Sequence, residues 1–347
     1  MTTSNQAMTT DYIESVIKHE LNRINASPDP FIQHGLMGIC IFLFWYSRHS
    51  NNSKFYDLAV KLLERNLRFL SNNHYLEFNN GMTGIGLALQ YLNENGYIKE
   101  DIGTLLKEVD DHIYKESLKG ISNDVHGHEN TFLDITIYFL YRIDKHSFEE
   151  KDEIIYEGLT KTILNYLYMT HNFDFWSEPI PSSSKYNLFK FLFALYKSYN
   201  LTDYKYRAYN ILMELEPTIL SIIPYNTINR LLYYGVLQKV IIRYKLGPRW
   251  IEHLNLVKKS IDLSTMITEL KSNNMSASRG LIKIYLTLKY LINDSQIFII
   301  DKEAIIKKLE DSDLFLLNPT EISKNKNYWG LDGILGFIML YLTIQNE

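Results

Sequence analysis

At 347 residues, 46% of them hydrophobic and 22% charged, the chain has ample material for a large globular core. Its formal charge of −4 and pI near 6.2 give no electrostatic reason to expect nucleic acid or an anionic membrane as partner. A lone cysteine, Cys40, excludes a disulfide framework and reads as packing within an apolar helix. The polar start, Met1 to Thr10, lacks the basic-then-apolar pattern of a signal peptide, and no run reaches 18 uninterrupted apolar residues. These features point to the cytoplasm.

In chain order, Asp11–Asn25 is an amphipathic helix with no inner partner before it. Thereafter a small, mostly glycine-marked turn recurs, each time followed by an apolar helix. The marks centre on Gly35, Gly81, Gly127, Asn187, Gly235, Gly280 and Gly330, at intervals of 45 to 60 residues. A period of this size signals repeated supersecondary units. The first helix of a unit is apolar nearly all round, as in Leu36–Tyr46, Ile85–Leu92 and Ile334–Leu342, so it must be buried on every side. The second is amphipathic: Phe55–Leu70 places Phe55, Leu58, Ala59, Leu62, Leu63, Leu67 and Leu70 on one stripe, with Lys54, Lys61, Glu64, Arg65 and Arg68 off it. Further outer helices are legible at Lys99–Glu116, Glu149–Met169, Tyr204–Ile223, Ile251–Lys271 and Lys302–Leu309. The stretch Phe173–Ser184 reads as a long loop.

Seven helix pairs, with Asp11–Asn25 beside the last inner helix as the seventh outer one, make an all-α fold: an α/α toroid of two concentric layers in one domain spanning 1–347. An open superhelical stack is the alternative. Glycine at the turns allows positive φ and lets neighbouring inner helices approach closely. Inner-helix N-termini carry exposed N–H groups and favour acidic or carbonyl groups, so chemistry is expected beside the turns.

HGLMG at His34–Gly38, NGMTGIG at Asn80–Gly86 and WGLDGILG at Trp329–Gly336 resemble the lanthionine synthetase C-like family. That resemblance implies a seven-fold α/α barrel. It also implies a central zinc that activates cysteine thiolates for addition to dehydrated serine or threonine in ribosomal precursor peptides (RiPP biosynthesis), with a dehydratase as partner. The family's zinc is held by a cysteine before the fifth glycine and a Cys-His pair before the sixth. Here Tyr233 stands at the first place and Ser278 and Arg279 at the others, and phenol, hydroxyl and guanidinium are not normal zinc ligands. No metal or other cofactor is therefore expected.

Other residues stand out on their own chemistry. Asp124, His126, His128 and Glu129 form the densest polar cluster. They suit acid–base work, a weak metal site with His34, or simple capping of the next helix. Arg279 suits a carboxylate or oxyanion, or a salt bridge to Asp332 or Glu178, and Arg230 and Lys185 add charge. Trp176, Tyr186, Tyr233, Tyr234, Tyr328 and Trp329 fit either an aromatic-lined peptide or sugar cavity or ordinary packing. Asp110-Asp111 reads as a solvated face. The favoured expectation is a zinc-free, peptide-binding pseudoenzyme or scaffold. The alternatives are a lyase or hydrolase on peptide or glycan using Asp124, His126, His128 and Arg279, or a metal-independent lanthionine cyclase.

Overall fold

A computed structural model describes residues 8–26, 29–70, 75–123, 129–171, 187–278, 280–292, 298, 301–322 and 324–346. Among them the chain is helical without strands, and no helix is long and apolar enough to cross a membrane. It divides into two compact units, 1–73 with 262–347, and 74–261.

The first unit joins the two ends of the chain. Its helices are α1 (Thr10–Ala26), α2 (Leu36–His49) and α3 (Ser53–Leu70) from the N-terminal part of the sequence. In the second unit come α4 (Met82–Glu94), α5 (Ile102–Ser122), α6 (Glu129–Asp144), α7 (Glu150–Thr170) and α8 (Asn187–Ser198). It continues with α9 (Lys205–Glu214), α10 (Glu216–Leu220), α11 (Thr227–Tyr244) and α12 (Pro248–Lys259). The first unit resumes with α13 (Leu263–Thr268), α14 (Leu281–Leu286), α15 (Lys302–Glu310), α16 (Asp313–Leu316), α17 (Pro319–Ile322) and α18 (Ile334–Asn346).

The repeat pattern is realised as neighbouring inner helices. In the second unit α4 packs on α6, α6 on α8 and α8 on α11; in the first, α14 packs on α18 and α18 on α2. Thus the last inner helix lies against the first. Amphipathic partners cover them: α3 on α2, α5 on α4, α7 on α6, α12 on α11 and α15 on α18, while α1 packs on α17. Apolar character on every side has the expected consequence. In α2 all but three of fourteen residues are buried, Cys40 included, and burial pushes its thiol pKa well up.

Three turns share one local design, and its reason differs from the sequence expectation. The N–H of Leu36, Met82 and Leu281 each donates to a carbonyl seven residues earlier: Asp29 O at 2.7 Å, Tyr75 O at 2.9 Å and Asn274 O at 3.2 Å. The preceding loop therefore lies over the glycine. A Cβ on Gly35, Gly81 or Gly280 would come within 2.4–2.6 Å of loop backbone. All three glycines have negative φ, between −154° and −109°; close approach, not left-handed geometry, requires them. Positive φ is confined to Gly330 among the marked glycines described, at 63°. Contact between inner helices does require one glycine further along, since a Cβ on Gly86 would meet the Tyr138 ring at 2.6 Å.

Three expected elements are corrected, one of them the outer helix over Ile251–Lys271, which is two helices, α12 and α13. Gly235 does not begin a helix: it lies inside α11, which starts after Asn226, whose side chain accepts from the N–H of Ile228 and Asn229. The outer helix expected over Tyr204–Ile223 is broken into α9 and α10 just before Pro217, which lacks the N–H a continuous helix needs.

Candidate functional site

In the first unit the loops ahead of α2, α14 and α18 meet in a polar cluster. Asp332, 8% exposed, is its centre. One oxygen accepts from the N–H of Ser278 at 2.6 Å; the other accepts from Ser278 Oγ at 2.9 Å and Gln33 Nε2 at 3.2 Å. The Asp332 N–H donates to Gln33 O at 3.2 Å. Ser276 Oγ lies 3.3 Å from Ser278 Oγ. Lys283, on the first turn of α14, faces the same carboxylate. Burial lowers its pKa to about 8, and the charge of Asp332 opposes that shift.

Next to this cluster, α1 reaches back to the seventh turn. Glu20, 2% exposed, accepts from the Gly330 N–H at 3.2 Å and pairs with Arg23 at 2.7 Å. The Arg23 guanidinium donates to His34 O at 2.6 Å and stacks 4.5 Å from the centre of the Trp329 ring. His34 Nδ1 lies 3.0 Å from Trp329 O. Of the sequence candidates, His34, Ser278, Trp329 and Asp332 are therefore brought together.

The second unit treats its candidates otherwise. Tyr233 is fully buried; its hydroxyl donates to Ile219 O at 2.9 Å and its ring stacks on Phe189 at 5.5 Å. His253 Nε2 lies 3.4 Å from the same hydroxyl, and burial lowers that imidazole's pKa. Tyr234 is 2% exposed. The expectation that Tyr233 and Tyr234 line a cavity is thus corrected: both are core residues. The Arg230 guanidinium donates to Pro224 O, Ser260 O and Tyr225 O at 2.6–3.0 Å. Tyr328 is buried, with its hydroxyl donating to Asp313 at 3.1 Å. Asp124, His126, His128, Trp176, Glu178, Lys185, Tyr186 and Arg279 lie outside the described residues. Glu129 is described, and its carboxylate stands 3.3 Å from His171 Nε2.

Some functional-looking groups were not singled out by the sequence. Asp134 (6% exposed) pairs with Lys190 at 2.5 Å and accepts from the Phe78 N–H at 3.0 Å, tying α6 to α8 and to the loop before α4. Asp110 was expected to be solvated but is 1% exposed. It accepts from Tyr138 Oη at 2.5 Å and from Arg142 Nη1, and burial raises its pKa to about 6 against the pull of Arg142. The hydroxyl-bearing face of α5 gives no sign of this in one sequence; only the tertiary partner Arg142 does.

The zinc positions of the family can be tested by donor chemistry. Tyr233 offers a phenol committed to a backbone carbonyl, and Ser278 a hydroxyl committed to Asp332. Neither supplies the thiolate that a borderline-soft ion prefers, so these residues do not fit the family's zinc. Among the described residues no three His, Cys, Asp or Glu side chains converge as a metal site requires. No curated protein matches the chain. The sequence model described as lanthionine synthetase C-like protein does match, over residues 28–181. That segment carries the HGLMG and NGMTGIG turns, and over it the chain is similar to the lanthionine synthetase C-like family.

Proposed function

We propose that this protein is a zinc-free lanthionine synthetase C-like component of peptide modification that binds a ribosomal precursor peptide in the cytoplasm without closing thioether rings. The observation that carries the reading is what occupies the ligand positions. Tyr233 has become part of the core beside Phe189, and Ser278 has become a clamp on Asp332. Both replacements build structure, and neither leaves a coordination position for a substrate thiol. The cluster of Gln33, Ser278 and Asp332, with Lys283 nearby, is the polar ground on which peptide amides would be held. A dehydratase that supplies the modified peptide is the natural partner.

Metal analysis of the purified protein tests this directly. The reading requires substoichiometric zinc, with peptide binding unchanged after dialysis against a chelator. One zinc per chain, lost together with activity on chelation, would refute it. A lyase or hydrolase using the Glu129–His171 pair is the second reading, favoured by that contact. It requires turnover that Glu129→Gln abolishes while the fold is kept.

A further inference from the structure

One end of the second unit concentrates positive charge on a molecule whose net charge is −4. Lys197 near the end of α8, Lys205 at the start of α9, Lys239 and Arg243 on α11 and Lys245 just past its end carry the charge, and two tyrosine rings contact Lys205, Lys239 and Arg243. Lys239 Nζ lies 5.9 Å from the Tyr196 ring centre, and the Arg243 guanidinium lies 5.9 Å from Tyr196 and 4.5 Å from Tyr199. Lys205 Nζ lies 4.6 Å from Tyr199. Among the described residues these five cations have one carboxylate in ion-pair contact, Asp144, which holds Lys197 at 2.9 Å and also accepts from Asn200.

The helix dipole explains part of this arrangement and fails for the rest. Lys197 and Arg243 sit in last turns, where cations are stabilised. Lys205 sits in a first turn, where the dipole opposes it. Lys239 lies more than a turn inside α11, and burial with the nearby Lys197 charge lowers its pKa. The Lys205 ammonium, with Arg243 and Lys245 behind it, likewise holds the Tyr199 hydroxyl below its ordinary pKa. Arg243 Nε is shielded from solvent and has no hydrogen-bond partner among the described residues. Like charges are thus held together at an electrostatic cost that folding does not need. Exposed apolar groups flank them: Tyr206 is 78% exposed beside Lys205, and Ile242 is 70% exposed beside Arg243.

We propose that this face, Lys197, Lys205, Lys239, Arg243 and Lys245 with their tyrosines, is a docking surface for an acidic stretch of polypeptide flanked by apolar residues. Its size favours a peptide over a nucleic acid. From Lys239 to Lys245 the helix advances about 9 Å, near the ~8 Å over which exposed charges act at physiological salt. A nucleic-acid strand would carry its phosphates beyond that reach onto a net acidic surface. A few carboxylates match the island, and the exposed Tyr206 and Ile242 give apolar neighbours a place to pack.

The test is fluorescence anisotropy on the full chain with a labelled peptide of six glutamates bracketed by leucines. Lys205→Glu/Lys245→Glu changes two exposed side chains, and Lys54→Glu/Lys324→Glu makes the same charge change elsewhere. Circular dichroism confirms the fold of both. The proposal requires saturable binding that weakens with salt, is lost at least tenfold in the first variant, and changes less than twofold in the second. Equal loss in both variants, no binding to the unaltered chain at low salt, or tighter binding of a single-stranded oligonucleotide of equal charge would each overturn it. This result is independent of the zinc reading, which metal content alone decides.

Discussion

Asp332 in the first unit and the acidic pairs of the second hold buried carboxylates in opposite ways. In the first, Asp332 is fixed by neutral donors, Ser278 and Gln33, and keeps its negative charge turned toward Lys283. In the second, Asp110 and Asp134 are matched to Arg142 and Lys190. A carboxylate neutralised by its own fold is structural, whereas one held by dipoles keeps a field that a ligand or a nearby lysine can feel.

The largest effect is expected from cutting a matched pair. Arg142→Met strands Asp110 in the core and should cost about 4 kcal/mol by chemical denaturation, with Asp110→Asn/Arg142→Met recovering part of the loss. The same pair sets a pH signature. Because Asp110 is raised to about 6 in the folded chain, from an ordinary 3.8, the folded state binds its proton more tightly. Its contribution to stability therefore falls as pH rises from about 4 to about 6 and is constant above. Relative to Asp110→Asn, the unaltered chain should lose up to about 3 kcal/mol across that window. An unchanged difference would show that Asp110 titrates normally.

Breaking the dipole-held carboxylate comes next. Asp332→Ala leaves the Ser278 N–H and Oγ and the Gln33 amide unpaired and should cost about 3 kcal/mol. It should also lower the Lys283 pKa further, because the Asp332 charge opposes the effect of burial, read from the pH dependence of amine labelling. Gly280→Ala sharpens the comparison at the adjacent turn. Its Cβ would meet Asn274 O and the Ser276 nitrogen at 2.4 Å, so about 2 kcal/mol should be lost. Gly158→Ala, with nothing within 4 Å and a place inside α7, should instead gain about 0.5–1 kcal/mol. Tyr233→Phe, which removes the bond to Ile219 O, should cost about 1 kcal/mol by thermal melting.

The helices were legible where periodicity was strong. The stripe from Phe55 to Leu70 predicts α3 to within two residues, and the continuous apolar run after Gly35 predicts a helix buried all round. Boundaries failed where a residue has two meanings. Gly235 reads as a turn from its neighbours at Gly81 and Gly280, yet sits mid-helix in α11; Asn226 carried the true start signal. Of the residues around Asp332, the motif turns singled out Ser278; Gln33 and Lys283 also lie within three residues of a marked glycine but carried no signal of their own. Gln33 and Asp332 are 299 residues apart, and Lys190 and Asp134 are 56 apart. No local pattern links such pairs, so the cation partners of the second unit and the setting of Lys283 required coordinates. Tyr233 was identified as a substituted ligand position, but its burial against Phe189 depends on packing between α8 and α11.

At the positions where the resemblance expects metal ligands, Tyr233 and Ser278 are tied into the fold. The most direct test gives the purified protein a dehydroalanine peptide that carries a free cysteine, with and without a zinc chelator, and follows both binding and loss of free thiol. The account predicts binding that the chelator leaves unchanged and thiol consumption no faster than in buffer. Thiol consumption accelerated by the protein and abolished by the chelator would contradict it.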